Sequence, residues 1–337
     1  MRITVLGAGA WGTALALRLS ATHEVTLWGR DQALMESITS SRRNVRYLPE
    51  IELPETLRLV PVLHQATASA ELIVTATSMA GLREVLVAVK TEASALPLLW
   101  LCKGFERETA ELPHQIAEHI LGAQARCGAL SGPSFAIDVA RGLPVAITLA
   151  SRHGEFARDW ASALSGERLR IYSSDDLVGV EVGGAVKNVI AIAAGISDGL
   201  GLGPSARAAL ITRGLAEITR LGVAMGGRMD TFLGLAGAGD LVLTCTSDQS
   251  RNRRVGLALA LGERLDAIVA RLGHVAEGVP TAREVLRLGK AHQVATPIAA
   301  AVCNVLDGAL SPVAAVDDLM RREPRSDSPH YAESTQA

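Results

Sequence analysis

The sequence is poor in aromatic residues and shows no excess of either charge. Its 337 residues include 4 Trp, 3 Tyr and 4 Phe, so the hydrophobic 48% comes mainly from Ala, Val and Leu. Lysine and arginine together number 33, against 35 aspartates and glutamates. Because nucleic-acid-binding domains carry a basic face, this near-neutral composition argues against nucleic acid as the main partner.

Cysteines and long apolar runs are also scarce. The four cysteines, at positions 102, 127, 245 and 303, lack the paired spacing of a zinc site or of a disulfide framework. We therefore expect reduced thiols, no bound metal and a cytoplasmic location. Apolar runs such as residues 95–102 are too short to cross a bilayer, and the N-terminus has no signal-peptide pattern. Neither an integral membrane segment nor export is expected.

The order of apolar patterns along the chain predicts two domains. Short Val/Ile/Leu runs first alternate with helical stretches, and helical stretches alone then follow. This predicts an α/β Rossmann-like N-terminal domain over residues 1–178, with a mostly parallel sheet. A mainly α-helical C-terminal domain over 179–321 and a disordered tail over 322–337 complete the chain. The predicted strands are 2–6, 24–28, 72–75, 98–102, 126–130, 145–149 and 169–172, and the predicted helices of the second domain are 182–196, 205–225, 253–261 and 281–288.

A Gly-x-Gly-x-x-Gly motif, formed by Gly7, Gly9 and Gly12, lies between the first predicted strand and a predicted helix. Gly7 permits a tight turn, Gly9 lets the backbone approach a pyrophosphate, and Gly12 lets the helix pack closely on the strand. The helix N-terminus would offer N–H groups to the phosphates. The motif alone also fits an ordinary glycine-rich turn, but its position between strand and helix favours a dinucleotide site.

The end of the second predicted strand bears on the choice between NADP and NAD. An acidic residue is usual there, because it holds the ribose 2′-OH, but this chain has Arg30 followed by Asp31. A cation suits the 2′-phosphate of NADP, whereas Asp31 leaves NAD possible. Arg30 could also be an ordinary solvated loop residue. The sequence favours NADP.

Three further segments, 75–78, 103–104 and 131–136, follow predicted strands at the edge where open α/β sheets bind ligands. Lys103 follows the strand 98–102 and would project into the cleft, although an ordinary surface lysine would look the same. In the segment 131–136, Gly132 predicts a tight turn. Spacing alone favours Ser134 as the N-cap of the helix that follows.

Lys187 interrupts the predicted helix 182–196, which is apolar nearly all round. A lysine on a buried helix must reach water, pair with an acid or serve chemistry. Its neighbours on the same helix face are the small residues Gly183, Gly184, Ala191 and Ala194. These leave room for a ligand, although small residues also occur wherever helices pack closely. Desolvation would lower the lysine pKa and suit it to general acid catalysis.

A third constellation joins a carboxylate to a phosphate-binding pattern. Residues 234–240 are expected to form a glycine-rich loop that ends in Asp240. Ser250 can N-cap the helix that follows, whose first turn carries Arg251 and Asn252. Charge and free N–H groups suit this helix start to a phosphate, although a capped basic surface helix fits the pattern equally well.

Taken together, these motifs resemble the bacterial NAD(P)-dependent glycerol-3-phosphate dehydrogenase family over nearly all of residues 1–320. The matching segments are 7–14, 44–49, 103–104, 131–136, 183–192, 234–247, 250–254 and 273–278. The resemblance implies reversible reduction of dihydroxyacetone phosphate to sn-glycerol 3-phosphate, which feeds phospholipid synthesis. It implies cofactor contacts from Ala10, Trp11, Arg30, Lys103, Ala136, Arg251, Val275 and Glu277, in addition to the three glycines. The implied substrate contacts are Lys103, Gly132, Ser134, Lys187, Asp240, Ser250, Arg251 and Asn252.

In the mechanism that follows, Lys187 supplies the proton and Lys103 stabilises the developing alkoxide, while Asp240 orients Lys187 or a substrate hydroxyl. The partner is a small phosphorylated substrate, and a homodimer is possible. Two other functions remain open. A ketopantoate-type or hydroxyacid dehydrogenase would not need the phosphate pattern at residues 250–252, and a non-catalytic NADP sensor would not need the lysines.

Overall fold

The computed structural model describes residues 1–93, 95–272 and 276–322. Its main sheet has eight strands in the order β10-β9-β8-β7-β6-β1-β2-β5, and a two-stranded ribbon pairs β3 with β4. All pairs in the main sheet are parallel except β8 with β9. The strands are β1 Arg2–Leu6, β2 Glu24–Trp28, β3 Arg43–Asn44, β4 Leu48–Glu52, β5 Arg58–Leu59, β6 Leu72–Thr75, β7 Leu98–Trp100, β8 Cys127–Ser131, β9 Val145–Ala150 and β10 Leu169–Ser174.

Helices cover both faces of this sheet, as is usual where parallel strands are joined by helical crossovers. They are α1 Ala10–Leu19, α2 Gln32–Ser41, α3 Leu63–Thr67, α4 Met79–Ala93, α5 Pro113–Leu121, α6 Ala136–Ala140 and α7 Gly154–Leu164. The central strands are buried on both faces, which explains their continuous Val/Ile/Leu composition. Two apolar cores result, one on each side of the sheet.

After β10 the chain is helical through the described residues. The elements are α8 Leu177–Gly199, α9 Gly203–Ala224, α10 Met229–Leu233, a π-helical turn Leu235–Gly239, α11 Asp240–Thr246, α12 Arg251–Ala260, α13 Leu265–Leu272, α14 Gly278–Ala291, α15 Pro297–Leu306 and α16 Pro312–Met320. The α/β and mainly α-helical parts are confirmed. The domain limits at residues 178 and 321 stay a prediction.

Helix α8 forms the centre of the helical part, and α9, α11, α12 and α14 pack around it. It is long and apolar enough to cross a membrane, yet 94% of its most apolar window is buried inside the protein. Glycines allow its closest contact, because a Cβ on Gly195 would overlap the Arg253 carbonyl and one on Gly256 would overlap that of Ile192. The helix is thus packed as the core of a folded domain.

The seven predicted strands are present, with ends that differ by at most two residues. The expected glycine-rich loop at 234–240 is wrong, because this segment is the π-helical turn that leads directly into α11. At Gly237 the glycine serves close packing instead of loop freedom. A Cβ on Gly237 would overlap the Phe232 backbone.

Candidate active site

Two lysines converge on one buried carboxylate at the junction of the sheet and the helices. Lys103 Nζ donates to Asp240 Oδ2 over 2.6 Å, and Lys187 Nζ donates to Asp240 Oδ1. Lys187 Nζ also donates to Thr244 Oγ1 over 3.0 Å, and Lys103 Nζ lies 3.5 Å from the Gly132 carbonyl oxygen. The three predicted catalytic residues therefore lie in one hydrogen-bonded cluster.

Burial sets the electrostatics of this cluster. Asp240 is 1% exposed and the Lys187 side chain 7%, whereas the Lys103 side chain keeps 21%. Desolvation lowers the pKa of Lys187 to about 7, although the Asp240 carboxylate opposes the change. Burial also opposes ionisation of Asp240, but the two ammonium groups outweigh it and hold the pKa of that carboxyl below its usual value. Lys187 can therefore exchange a proton near neutral pH while Asp240 stays charged.

The small residues beside Lys187 make room for neighbouring protein atoms. A Cβ on Gly183 would come 2.8 Å from the Ala236 carbonyl oxygen, and one on Gly184 would come 2.9 Å from Ser131 Oγ. At these two positions the close-packing alternative is confirmed. The glycines bring the π-helical turn and the end of β8 against α8, and this contact places Asp240 beside the lysine.

The loop after β8 makes a tight turn at Gly132, as predicted. Gly132 has φ +138°, and a Cβ there would come 2.9 Å from Ile147 Cα, so both conformation and space favour glycine. The expected N-cap role of Ser134 is wrong. Helix α6 has Phe135 as its N-cap residue, and Ser134 Oγ instead donates to the Gly132 carbonyl over 3.2 Å. The Ser134 hydroxyl is thus held beside the turn that Lys103 contacts.

The dinucleotide motif forms the turn between β1 and α1. Gly7 has φ +128°, and a Cβ there would come 2.6 Å from the Ala76 carbonyl oxygen. A Cβ on Gly12 would overlap the Gly7 carbonyl, whereas one on Gly9 would meet nothing within 4 Å. Gly9 is the N-cap residue of α1 and supplies no capping side chain. The space beside Gly9 is open and no side chain caps the first N–H groups of α1, which fits a pyrophosphate at this helix start.

Three further predicted cofactor residues lie near this turn. Ala10 and Trp11 form the start of α1, and Ala136 starts α6, which packs against α1. Trp11 Nε1 lies 3.4 Å from the Ser134 carbonyl oxygen. This contact joins the dinucleotide turn to the loop beside Lys103.

Arg30 and Asp31 follow β2 but have different partners. Arg30 Nη1 donates to Glu84 Oε2 over 2.6 Å, and both side chains are largely exposed. Asp31 Oδ1 accepts from Leu34 N over 3.0 Å as the N-cap of α2, and Asp31 Oδ2 lies 3.3 Å from Arg46. Both side chains are therefore exposed and paired, Asp31 within its own segment and Arg30 with a residue of α4.

The expected N-cap of α12 is confirmed, since Ser250 Oγ accepts from Arg253 N. Arg253 itself is bound by Asp198 and Asp248, so its charge is already neutralised. Arg251 forms no salt bridge within the described residues, but burial lowers its pKa and the nearby Glu277 carboxylate opposes that change. Because Arg253 is held by two carboxylates, Arg251 and the first N–H groups of α12 are the groups of this segment best suited to an anion.

Asn252 has a more structural place than its prediction suggests. Its Nδ2 donates to Asn188 Oδ1 over 2.9 Å, and its Oδ1 accepts from Gly278 N over 2.9 Å. The side chain is buried and joins α8, α12 and α14. It therefore fixes the position of the α12 N-terminus, and its backbone N–H is the group left for an anion.

The last predicted cofactor residues are Val275 and Glu277. Val275 lies outside the described residues. Glu277 Oε1 accepts from Met79 N over 3.3 Å, at the N-terminus of α4. Burial raises the pKa of Glu277, although the Met79 N–H and the Arg251 charge oppose it. Glu277 thus connects the helical part to the sheet beside the dinucleotide turn.

Sequence reasoning missed two contributors to the site. Thr244 follows Asp240 by one helical turn, so the two side chains lie on the same helix face. This spacing would have linked Thr244 to Asp240 only if the segment were predicted to be helical. Glu181, on α8, accepts from Trp100 Nε1 and His114 N, each over 3.0 Å, and also contacts His114 Nδ1. Nothing in the sequence pattern connects these three distant positions, because only the fold brings β7, α5 and α8 together.

A dinucleotide turn in a parallel sheet, opposite a buried lysine that titrates near neutrality, is the arrangement of a two-domain nicotinamide-dependent dehydrogenase. Comparison with known proteins identifies the family within this class. The family models described as NAD-dependent glycerol-3-phosphate dehydrogenase N-terminus and C-terminus match residues 2–157 and 176–317. The chain therefore belongs to the NAD-dependent glycerol-3-phosphate dehydrogenase family, which confirms the resemblance.

Individual relatives agree with this assignment. The glycerol-3-phosphate dehydrogenase [NAD(P)+] of Nitrosospira multiformis is 56% identical over 331 residues, covering 97% of this chain and 99% of the relative. The crystal structure of glycerol-3-phosphate dehydrogenase from Coxiella burnetii aligns with a TM-score of 0.91 at 41% identity, covering 95% of this chain and 99% of that one. A ketopantoate reductase structure from Ralstonia eutropha aligns at 0.57 and 16% identity, covering 91% and 99%, and shares the fold alone.

Proposed function

We propose that this chain reduces dihydroxyacetone phosphate to sn-glycerol 3-phosphate, reversibly, with NADPH or NADH. The observation that carries the proposal is the buried Lys187–Asp240–Lys103 cluster beside the dinucleotide turn. Carbonyl reduction needs a proton donor and a positive charge near the developing alkoxide, and the cluster offers both. The names of the relatives supply the substrate.

The residues present fit a nicotinamide dinucleotide. The open space at Gly9 and the first N–H groups of α1 would hold the pyrophosphate, with Trp11 and Ala136 lining its path. Arg30 would contact the adenosine end, and Glu277 would approach from the helical side. A cofactor contact from Val275 rests on the resemblance alone. When bound, the nicotinamide supplies hydride chemistry, and the protein supplies position and charge.

Lys187 is proposed as the general acid. Its pKa of about 7 keeps a substantial fraction protonated at neutral pH and allows the proton to leave toward an alkoxide. Lys103, which follows β7, supplies a second positive charge on the same carboxylate. Asp240 positions both ammonium groups, since each donates to one of its oxygens.

The substrate phosphate is assigned to the start of α12. Arg251 offers a cation that forms no salt bridge among the described residues, and the N-terminus of α12 adds N–H donors. Ser250 and Asn252 position this turn, through the N-cap and through the contacts to Asn188 and Gly278. With the phosphate fixed there, the carbonyl would be presented to the lysines.

The test is the loss of 340 nm absorbance from NADPH, with dihydroxyacetone phosphate as substrate, in the parent and in Lys187→Met. Methionine keeps most of the side-chain volume but cannot give a proton, so kcat is expected to fall about 10³-fold. NADPH affinity should change less than about threefold, because the cofactor turn is untouched. Lys290→Met, which removes an exposed lysine on α14, is the matched control and should keep parental turnover.

The same assay separates the other two functions. A parent enzyme that oxidises NADPH with ketopantoate and not with dihydroxyacetone phosphate would be a dehydrogenase of different substrate class. NADPH binding without turnover on any carbonyl would indicate a sensor. The Arg251 phosphate site argues against the first alternative, and the buried lysine pair argues against the second.

Location, assembly and pathway are also part of the proposal. All four cysteines are free thiols, which agrees with a cytoplasmic enzyme. Exposed apolar side chains at Met229, Leu233 and Val242 offer surface for a homodimer, which light scattering coupled to size exclusion would measure. The product would enter phospholipid synthesis, as the resemblance implies.

A further inference from the structure

The exposed ion pair between Arg30 and Glu84 lies at the adenosine end of the cofactor site. Arg30 follows β2, and Glu84 lies in the second turn of α4. Helix α4 begins just after the segment whose Ala76 carbonyl faces Gly7, so it runs beside the dinucleotide turn. The N–O distance of the pair is 2.6 Å. A carboxylate from α4 thus reaches the cation that would receive a 2′-phosphate.

Other charged groups around Arg30 are already engaged. Asp31 caps α2 and lies beside Arg46, and Arg83, the neighbour of Glu84 on α4, is bound by Glu106. In the described parts of the chain, Glu84 is the carboxylate that pairs with Arg30. The charge that a 2′-phosphate meets here is therefore set by one arginine and one glutamate.

We propose that Glu84 is a specificity-determining residue that weakens NADPH binding relative to NADH. The 2′-phosphate of NADPH must displace the Glu84 carboxylate from Arg30, and the two negative charges then repel each other. The 2′-OH of NADH neither displaces this carboxylate nor is repelled by it. The exposed pair is weak, so a phosphate dianion can still compete for the guanidinium. Use of both cofactors follows from this balance. The inference rests on the proposed function, which places a nicotinamide dinucleotide in this site.

Fragment binding tests the proposal without turnover. Calorimetry would compare 2′,5′-ADP, which carries the 2′-phosphate, with 5′-ADP, which lacks it, on the parent and on Glu84→Gln. The variant is expected to bind 2′,5′-ADP about 3- to 10-fold more tightly and 5′-ADP within about twofold of the parent, because only the first fragment gains from loss of the charge. Glu84 is exposed, so the substitution leaves the packing intact. The gain should shrink at 1 M salt.

Two single variants and one double variant complete the design. Glu92→Gln removes a carboxylate about 12 Å further along α4 and should change neither affinity. Arg30→Gln should weaken 2′,5′-ADP binding, and in that background Glu84→Gln should give a smaller gain, since the competing pair no longer exists. Equal changes for both fragments in Glu84→Gln, or no change in either, would overturn the role of Glu84 while leaving the enzyme assignment intact. A parent that binds neither fragment, NADPH nor NADH would instead overturn the proposed function.

Discussion

Replacement of Asp240 by Asn is expected to move the pH dependence of the reaction to lower pH. In the parent, desolvation lowers the Lys187 pKa from 10.5 to about 7, and the Asp240 charge is the main effect that opposes this fall. Asparagine keeps an acceptor oxygen but removes the charge. Two unit charges about 3 Å apart interact by roughly 5 kcal/mol at an effective dielectric of 20. Since about 1.4 kcal/mol corresponds to one pKa unit, a downward shift of at least about two units is expected after partial compensation by water.

The assay is kcat/KM for dihydroxyacetone phosphate from about pH 4.5 to 9.5 at saturating NADPH, because this ratio reports pKa values of the enzyme before the carbonyl binds. Reduction requires protonated Lys187, so the parent profile should be flat at low pH and fall above about pH 7. Oxidation of glycerol 3-phosphate requires the neutral amine and should rise to a plateau above the same pH. The reaction equilibrium links the two directions, so both bends must move together in Asp240→Asn.

The Lys103→Met variant should shift the pH profile in the opposite direction. The Lys103 ammonium lowers the Lys187 pKa, so its removal should move the bend to higher pH. A bend that belongs to the substrate phosphate would stay in place in both variants. The reasoning is refuted if both variants keep the parental bend, or if both move it in the same direction.

Two further predictions concern other parts of the fold. Gly12→Ala should lower the free energy of unfolding by more than about 2 kcal/mol, since the added Cβ would overlap the Gly7 carbonyl. Gly9→Ala should keep the stability of the parent but lose at least about tenfold in NADPH affinity. Equal melting temperatures for the two variants would contradict this prediction. Buried Glu217 accepts from the first N–H groups of α15, and burial raises its pKa to about 7. Because the folded pKa of Glu217 lies above the unfolded value, the contribution of this carboxyl to stability should decline as the pH rises from 4.5 to 7. The decline should reach up to about 3 kcal/mol relative to Glu217→Gln. Denaturant titrations of both proteins at the two pH values would measure it.

The sheet was predictable because its strands are short apolar runs between helical patterns, and burial on both faces produces such runs. The ribbon β3–β4 and the short β5 were not predicted, because they are exposed or only two residues long and lack an apolar pattern. The segment 234–240 was predicted wrongly for a physical reason. Glycine both loosens a chain and permits close packing, and only the neighbouring Phe232 backbone shows which effect applies at Gly237.

The sequence could predict which residues form the candidate site better than it could predict which of them contact each other. A buried lysine and a distant aspartate suggested a pair, and the structure places them in hydrogen-bonding contact. The roles within residues 250–252 could not be separated from sequence. Ser250 caps, Asn252 braces two helices and Arg251 remains for an anion, although all three occupy one helix start. Likewise, Arg30 suggested a phosphate, but its partner Glu84 comes from a helix 54 residues away.

The two ends of the cofactor site differ in how strongly function is coupled to stability. Because the folded pKa of Lys187 is about 7 instead of 10.5, protonated Lys187 lowers the stability of the folded protein by about 5 kcal/mol below pH 7. This cost declines as the pH rises from 7 toward 10.5. The same burial makes Lys187 a usable acid, so changes around it alter catalysis and folding together. Arg30 and Glu84 are exposed, and their pair contributes little to folding. If the proposed roles hold, cofactor preference can change through this pair at little cost in stability, whereas the proposed proton donor Lys187 is held by the core of the helical domain.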